Sequence, residues 1–234
     1  MSVNEFVLVQ GMRSTRLALR RWNAHPWPVL RGWLAGAAVV AGGLLLGVLV
    51  VASVARPDPT PLFIPGIDEA PNVGDVGEIL VRNSLVLALH ATACVAGFIA
   101  GSSLPLSAAR RHGISRWVHE KARPIALAWV VAVTCFSLVT QAYILGSQGA
   151  TLAAQVHISP GTLMLSALPQ AFPELVALFL PLAAWTIASR RDEWHELLAA
   201  TFVTTAIAIP ILVAAATWEA YMWPKLLELA SPVV

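Results

Sequence analysis

Long apolar runs alternate with short polar segments along most of this chain. Because an α-helix rises about 1.5 Å per residue, about 20 apolar residues are needed to cross the roughly 30 Å hydrocarbon core of a bilayer. Five runs reach this length, and each is predicted to be a helix because a lipid-exposed backbone must satisfy its own hydrogen bonds. The predicted spans are residues 33–55, 79–103, 124–146, 169–188 and 197–221.

The composition favours a membrane protein over a soluble one. Hydrophobic residues make up 57% of the chain and charged residues only 12%, which leaves too little polar surface to cover a soluble fold. The formal net charge of +2 is too small to suggest nucleic acid as a partner. The predicted fold class is therefore an all-α, polytopic transmembrane helical bundle of about five spans, and its first partner is the lipid bilayer.

Basic residues fall mainly on one side of the predicted spans. Twelve of the fifteen Lys and Arg residues occur in the N-terminal leader, the loop after the second span and the loop after the fourth, whereas the loop 56–78 is acidic. Because Lys and Arg are retained in the cytoplasm, the N-terminus is predicted to be cytoplasmic and the C-terminus outside. Arg outnumbers Lys 13 to 2 and Ala is abundant, which suggests a GC-rich bacterial genome and hence the bacterial cytoplasmic (inner) membrane.

These assignments divide the chain into regions. The segment 150–168 is apolar, but Pro160-Gly161 interrupts it and both flanking spans already have basic cytoplasmic ends. It is therefore predicted to be an outer-face interfacial or partly re-entrant segment that contains a short helix around residues 162–168. The predicted regions are a cytoplasmic basic interfacial helix (1–32), a first transmembrane anchor (33–55), an outer acidic loop (56–78), a four-span core (79–224) and a C-terminal tail (225–234).

The leader carries a stripe of basic residues. Arg13, Arg16 and Arg20 are spaced by three and four residues, which places their guanidinium groups on one face of a helix. Such a helix is predicted to bind anionic lipid headgroups at the cytoplasmic surface. The alternative is that the stripe docks a partner protein.

Two Gly-x-x-x-Gly pairs lie within the first two predicted spans. They are Gly43 with Gly47, and Gly97 with Gly101. Small residues at this spacing permit close contact between helices, either within the bundle or between copies of the chain. A homo-oligomer is therefore one of the predicted arrangements.

Polar side chains occur at similar predicted depth in four spans. An ionisable group costs roughly 2.5–3.5 kcal/mol at the centre of a membrane helix and less near an interface, so such groups normally face partners or water. One guanidinium cannot neutralise two carboxylates, so the second carboxylate is expected to hold a proton, bind a cation or reach water. The predicted outer-half cluster is Arg82, Asn83, Gln141, Glu174 and Glu219, with His90 and Gln170 as outlying members.

Two alternatives stay open for this cluster. Arg82 is expected to pair with Glu174 or Glu219. In one interpretation this is a structural ion pair that stabilises the bundle, and in the other the cluster is a transport or binding site. For His90, a polar packing role is the alternative to a role as a ligand.

Two segments of the C-terminal half resemble a known family. Residues 169–179, Pro-Gln-Ala-Phe-Pro-Glu-Leu-Val-Ala-Leu-Phe, resemble the signature of the stage II sporulation protein M family, a Pro-His-Gly motif followed by Glu-Leu and a small-residue helix. Residues 218–224, Trp-Glu-Ala-Tyr-Met-Trp-Pro, resemble its closing Glu-Ala-aromatic and nearby Pro. Arg82-Asn83 resembles the family's Asn at the head of a span, and residues 141–146 resemble its Asn-Gly-x-x-x-Gly stretch more loosely.

The resemblance covers roughly residues 75–225. Gln170 and Ala171 stand where the family has His and Gly, whereas both glutamates are present. Similarity to this family implies a polytopic membrane protein with about five spans. In the sporulating member it implies a scaffold for peptidoglycan-degrading enzymes at the division septum during engulfment, while most relatives occur outside sporulating bacteria.

Two classes of function follow from these features. The first is a non-catalytic membrane scaffold or assembly factor that organises partner proteins at the cell envelope, with peptidoglycan-processing enzymes among the candidate partners. The second is a small oligomeric ion- or proton-coupled transporter or channel that uses Glu174 and Glu219, since carboxylates beside Pro-broken helices accompany ion sites.

An enzyme is not predicted. His195-Glu196 is not followed by the second His of a zinc helix, and the sequence shows neither a nucleophile elbow nor a Gly-rich phosphate loop. Cys94 and Cys135 lie in apolar runs and are predicted to be packing residues. No metal and no cofactor are therefore expected.

Overall fold

The computed structural model describes residues 7–64, 66–99, 101 and 114–233, and the regular elements of these residues are helices. A 3₁₀ turn, Trp194–Glu196, leads directly into the sixth helix. The helices are α1 (Val7–Ala24), α2 (Trp27–Val54), α3 (Val73–Phe98), α4 (Ile114–Gln155), α5 (Pro160–Arg191), α6 (Leu197–Tyr221) and α7 (Trp223–Ala230).

In the part of the chain that the structure describes, four helical stretches are long and apolar enough to cross a membrane. They are α2, α3, α5 and the continuous stretch Trp194–Tyr221 that ends with α6. The prediction of an all-α chain with several helices of membrane-spanning length is thereby confirmed. The predicted third span, 124–146, lies within the 42 residues of α4, and the number of five crossings stays a prediction.

The start of α5 differs from the predicted start of the fourth span at residue 169. The helix begins at Pro160, where a proline is favourable because the first-turn N–H groups have no helical partner. Ser159 caps this end by accepting a hydrogen bond at its Oγ from the Thr162 N–H at 3.0 Å. Pro169 therefore lies inside α5, and the segment 150–168 is divided between the end of α4, residues 156–159 and the first turns of α5.

The chain divides into two compact units, and each of the five long helices α2–α6 contributes one of its halves to each unit. Unit 1 consists of Met1–Ala37, Val86–Thr134 and Leu178–Ile207, and unit 2 of Ala38–Leu85, Cys135–Ala177 and Ala208–Val234.

Two pairs of tryptophan rings pack within unit 1. Trp22 and Trp33 pack edge to face with ring centroids 5.1 Å apart, and Trp185 and Trp194 lie 6.4 Å apart. Gly97 lies against this second pair, since a Cβ at its position would lie 2.6 Å from Nε1 of Trp185. Its partner in the Gly-x-x-x-Gly motif, Gly101, likewise leaves room for the Trp194 ring. This glycine pair therefore accommodates indole rings within the unit.

In unit 2, the segment between α2 and α3 is tied to the end of α4. The Asp58 N–H donates to Oγ1 of Thr151 at 3.0 Å. The Gln155 side chain makes two bonds, because its Oε1 accepts from the Leu62 N–H at 3.2 Å and its Nε2 donates to the Thr60 carbonyl at 2.9 Å. Hydrogen bonds from Thr60 also lower the pKa of the exposed Asp58 carboxyl.

The last helix closes the core of unit 2. Leu227 of α7 is fully buried in a cluster with residues that include Ile64, Val156 and Leu163. After α7 ends, the Ser231 Oγ donates to the Val156 carbonyl at 2.7 Å. The predicted C-terminal tail, 225–234, thus begins inside a helix that packs against the rest of the unit.

Helices α2 and α4 approach closely at small residues of unit 2. A Cβ at Gly146 would lie 2.5 Å from the Val51 Cβ, and a Cβ at Gly47 would lie 3.3 Å from the Ala142 Cβ. Around Gly43, the described part of the chain leaves open space within 4 Å. Of the predicted pair, Gly47 lies at this close approach, and Gly146 lies at a tighter one that the Gly-x-x-x-Gly pattern did not identify.

Candidate functional site

Unit 2 contains a cavity of about 290 Å³ in which two carboxyl side chains meet apolar walls. Its polar lining comes from Gln170, Glu174 and Glu219. The walls are supplied by α2, α4, α5 and α7, through residues that include Leu44, Val48, Leu145, Leu163, Leu175 and Trp223.

The polar groups reach the cavity from two helices. Gln170 and Glu174 are four residues apart on α5, so they lie on the same face one turn from each other. Glu219 comes from the last turns of α6, and it lies close enough to interact electrostatically with Glu174. The two glutamates selected from the sequence therefore share one cavity.

Gln170 is the most buried of the three polar lining residues. It is only 5% exposed, and its Oε1 accepts no hydrogen bond from any residue that the structure describes. A buried acceptor without a partner costs about 1–3 kcal/mol. The cavity therefore offers an unfilled acceptor beside its two carboxyl groups.

Helix α3 brings two further predicted residues near these carboxyl groups. Arg82 is exposed and interacts electrostatically with both Glu174 and Glu219. Within the described ranges, however, the ion pairs shorter than 4.0 Å do not include Arg82. Asn83 lies beside the Glu174 carboxyl group, within reach of a side-chain hydrogen bond, although its buried Nδ2 has no partner at full hydrogen-bond geometry among the described residues. The direct pairing expected for Arg82 is thus replaced by a longer-range attraction.

Two predicted cluster members lie elsewhere. The Gln141 Nε2 donates to Oγ of Ser137 at 3.0 Å, within its own helix. His90 belongs to unit 1, where its Nδ1 donates to the Leu178 carbonyl at 2.8 Å and its ring packs on Phe179. Neither side chain contributes to the lining of the cavity.

The basic stripe of the leader lies on α1, in unit 1. Arg13, Arg16 and Arg20 are all exposed. Arg16 and Arg20 line a shallow groove of about 630 Å³ together with apolar side chains of Met12 and Leu19. The exposed face of α1 therefore combines charge with apolar surface, as a lipid-binding or partner-binding helix requires.

Unit 1 also contains an ion pair, between Arg21 and Glu196, that was not predicted from the sequence. An Arg21 Nη atom donates to Oε1 of Glu196, whose side chain is only 9% exposed. The His195 Nε2 lies 3.7 Å from the same oxygen. The sequence offered no signal for this pair, since 175 residues separate its partners.

The described residues contain no group of three or more His, Cys, Asp or Glu side chains that could hold a metal ion. Both cysteines are free, and the buried Cys94 donates from Sγ to the Pro181 carbonyl at 3.1 Å. Chemically, the unit 2 cavity offers oxygen acceptors to a proton or a cation.

No protein-family model matches the chain, and no curated protein or solved structure shows significant similarity to it.

Proposed function

We propose that the protein is a small ion- or proton-coupled transporter or channel of the bacterial inner membrane, and that Glu174 and Glu219 bind the transported or coupling cation. The observation that carries this proposal is the unit 2 cavity, which both carboxyl groups share with the Gln170 Oε1, an acceptor that has no donor among the residues the structure describes.

The electrostatics of the cavity support this function. Two carboxylates removed from water repel each other and lose hydration, whereas a proton or a cation between them offsets both costs. Arg82 is exposed and makes no close contact with either carboxyl group among the described residues. A mobile cation between the two carboxyl groups therefore adds close compensation to the longer-range attraction of Arg82.

The lengths of the helices and the positions of the charges support five crossings. Each of the helices α2–α6 has at least 25 residues, more than the about 20 that are needed to cross the hydrocarbon core. Arg13, Arg16 and Arg20 precede α2 and Arg190-Arg191 end α5, whereas the segment between α2 and α3 is acidic. Because basic segments are retained in the cytoplasm, this distribution supports a cytoplasmic N-terminus.

Proteoliposomes provide the test of this function. An imposed membrane potential is expected to drive cation entry into vesicles that contain the wild-type protein. Proton entry is measured with a trapped pH-sensitive dye, and Na⁺ and K⁺ entry is measured by isotope uptake. Glu174→Gln and Glu219→Gln are each expected to reduce this flux to the level of empty vesicles, because each removes a carboxylate from the cavity.

Glu228→Gln is the matched control for these variants. Glu228 is an exposed carboxylate of α7 in the same unit, so the same chemical change there is expected to leave flux intact. Equal flux in the wild type and both cavity variants, or no flux in the wild type, would contradict the proposal.

A second candidate function, a non-catalytic scaffold that organises other envelope proteins, is supported by the exposed face of α1. The groove beside Arg16 and Arg20 combines two guanidinium groups with apolar side chains, a surface that suits an acidic amphipathic segment of a partner. The resemblance to the stage II sporulation protein M family points to the same class of function.

Pull-down from native membranes in a mild detergent tests the scaffold. A stoichiometric partner is expected with the wild-type chain and is expected to be lost from the variant Arg16→Ser/Arg20→Ser. Arg56→Ser, which alters an exposed arginine of the segment after α2, serves as the control. Isolation of this polypeptide alone would exclude the scaffold while leaving the transport proposal intact.

A further inference from the structure

We propose that the unit 2 cavity binds a small amphipathic organic ammonium ion, with its NH₃⁺ group among Gln170, Glu174 and Glu219 and its apolar body against the leucine-rich walls. This inference rests on the proposed function, because it names the chemical class of the cation that the two carboxyl groups bind.

The polar end of the cavity matches an ammonium group in number and kind. A primary ammonium carries three N–H donors and no acceptor, while carboxylates and the amide Oε1 are acceptors. The Oε1 of Gln170 is buried and has no donor among the described residues. One ammonium group would satisfy this acceptor and lie between the two carboxyl groups.

A dehydrated metal ion fits the same groups less well. Hard cations such as Ca²⁺ take about six to eight oxygen ligands, and Mg²⁺ requires a near-ideal octahedron. The cavity provides three polar side chains, and the described residues contain no cluster of three or more potential metal-ligating carboxylate, imidazole or thiol groups. The three groups match the three N–H donors of an ammonium ion, whereas their side-chain oxygens are fewer than the about six to eight that Ca²⁺ takes.

The walls and the size of the cavity indicate that the cation carries an apolar body. The lining beyond the three polar residues is mostly aliphatic, with Leu44, Leu145 and Leu175 among its members. A volume of about 290 Å³ is far larger than the roughly 10–15 Å³ of cavity that holds one water molecule. Apolar surface of this extent stabilises a hydrocarbon group and offers water few hydrogen bonds.

Trp223 adds an aromatic wall without competing for the ligand. Its indole Nε1 donates to the Ser166 Oγ at 3.2 Å, so this donor is already used within unit 2. The Trp223 ring lines the cavity and presents an aromatic surface to a bound apolar group.

Binding of phenethylammonium chloride to the purified full-length protein in detergent, measured by isothermal titration calorimetry, tests this inference. We expect saturable binding to the wild type and no saturable binding of 2-phenylethanol, which has a similar apolar body without the charge. Gln170→Leu and Glu174→Gln are each expected to weaken binding by about tenfold or more, because the first removes an acceptor of a charged hydrogen bond and the second removes the negative charge of a carboxylate.

Gln141→Leu is the matched control, because Gln141 bonds to Ser137 of its own helix and does not line the cavity. This variant is expected to bind phenethylammonium like the wild type. Monodisperse elution of every variant in size-exclusion chromatography separates loss of the site from loss of the fold. Unchanged affinity in correctly folded Gln170→Leu and Glu174→Gln proteins would place the ligand elsewhere and overturn the inference.

The flux experiment keeps the two proposals separate. Glu174-dependent proton or alkali-cation flux without phenethylammonium binding would refute the ammonium site and leave the transport function standing. Binding that requires Gln170 and Glu174, in a protein that shows no flux of any cation, would support the site and refute transport.

Discussion

Replacing Gly146 by alanine is expected to lower the stability of unit 2, whereas the same replacement at Gly43 is expected to leave it unchanged or slightly raised. A Cβ at Gly146 would lie 2.5 Å from the Val51 Cβ and 2.8 Å from the Val48 carbonyl oxygen. Neither neighbour is the flexible end of a side chain, so α2 and α4 must separate to accept the methyl group.

The two competing effects have different sizes. Overpacking of a close contact costs about 1–3 kcal/mol, while alanine gains at most about 1 kcal/mol over glycine from helix propensity. Steric cost therefore prevails at Gly146. At Gly43, where the described residues leave open space within 4 Å, only the propensity gain remains.

Thermal unfolding in detergent micelles, followed by tryptophan fluorescence, measures this difference. For chains of 150–250 residues, each kcal/mol corresponds to a shift of roughly 2–4 °C in Tm, so Gly146→Ala is expected to melt several degrees below Gly43→Ala. Equal melting temperatures for the two variants would show that α2 and α4 do not pack at Gly146.

The lengths of the apolar runs predicted the helical class of this chain, because helix length and hydrocarbon thickness are tied by simple geometry. The boundary between α4 and α5 was harder to predict. After α4 ends, His157 has φ of 54°, a left-handed conformation that glycine usually adopts at helix ends. Without a glycine there, no local residue type marks this end, and the apolar pattern predicted a short helix around residues 162–168 and a separate span from Pro169 where one continuous helix begins at Pro160.

The sequence identified the carboxyl groups of the site but not its limits. Charge in an apolar run is conspicuous, so Glu174 and Glu219 could be selected directly. Gln141 and Gln170 are similar in chemistry and predicted depth, yet only Gln170 lines the cavity. The rotation of each helix about its own axis determines which of the two side chains faces the cavity. This rotation depends on contacts with distant parts of the chain, which the local sequence does not show. The Arg21–Glu196 pair was missed for the same reason.

Truncation of Leu227 to alanine is expected to produce the largest loss of stability among single substitutions in α7. Leu227 is fully buried with Ile64, Val156 and Leu163, whereas Leu229 of the same helix is 86% exposed. Removing a buried leucine side chain costs about 2–5 kcal/mol through lost transfer free energy and the cavity left behind. Leu229→Ala makes the same chemical change without such a cavity and is the matched control.

Loss of this contact is also expected to affect the proposed ligand site, because α7 carries Trp223, which lines the cavity. Leu227→Ala should lower Tm by several degrees in detergent and weaken phenethylammonium binding, while Leu229→Ala should change neither. If Tm falls but phenethylammonium binding is unchanged, Trp223 keeps its position without the Leu227 contact. The cavity wall then does not depend on the packing of α7 against the rest of unit 2. If both leucine variants melt alike, the burial of Leu227 does not stabilise unit 2. Residues 225–234 would then behave as the C-terminal tail that the sequence predicts.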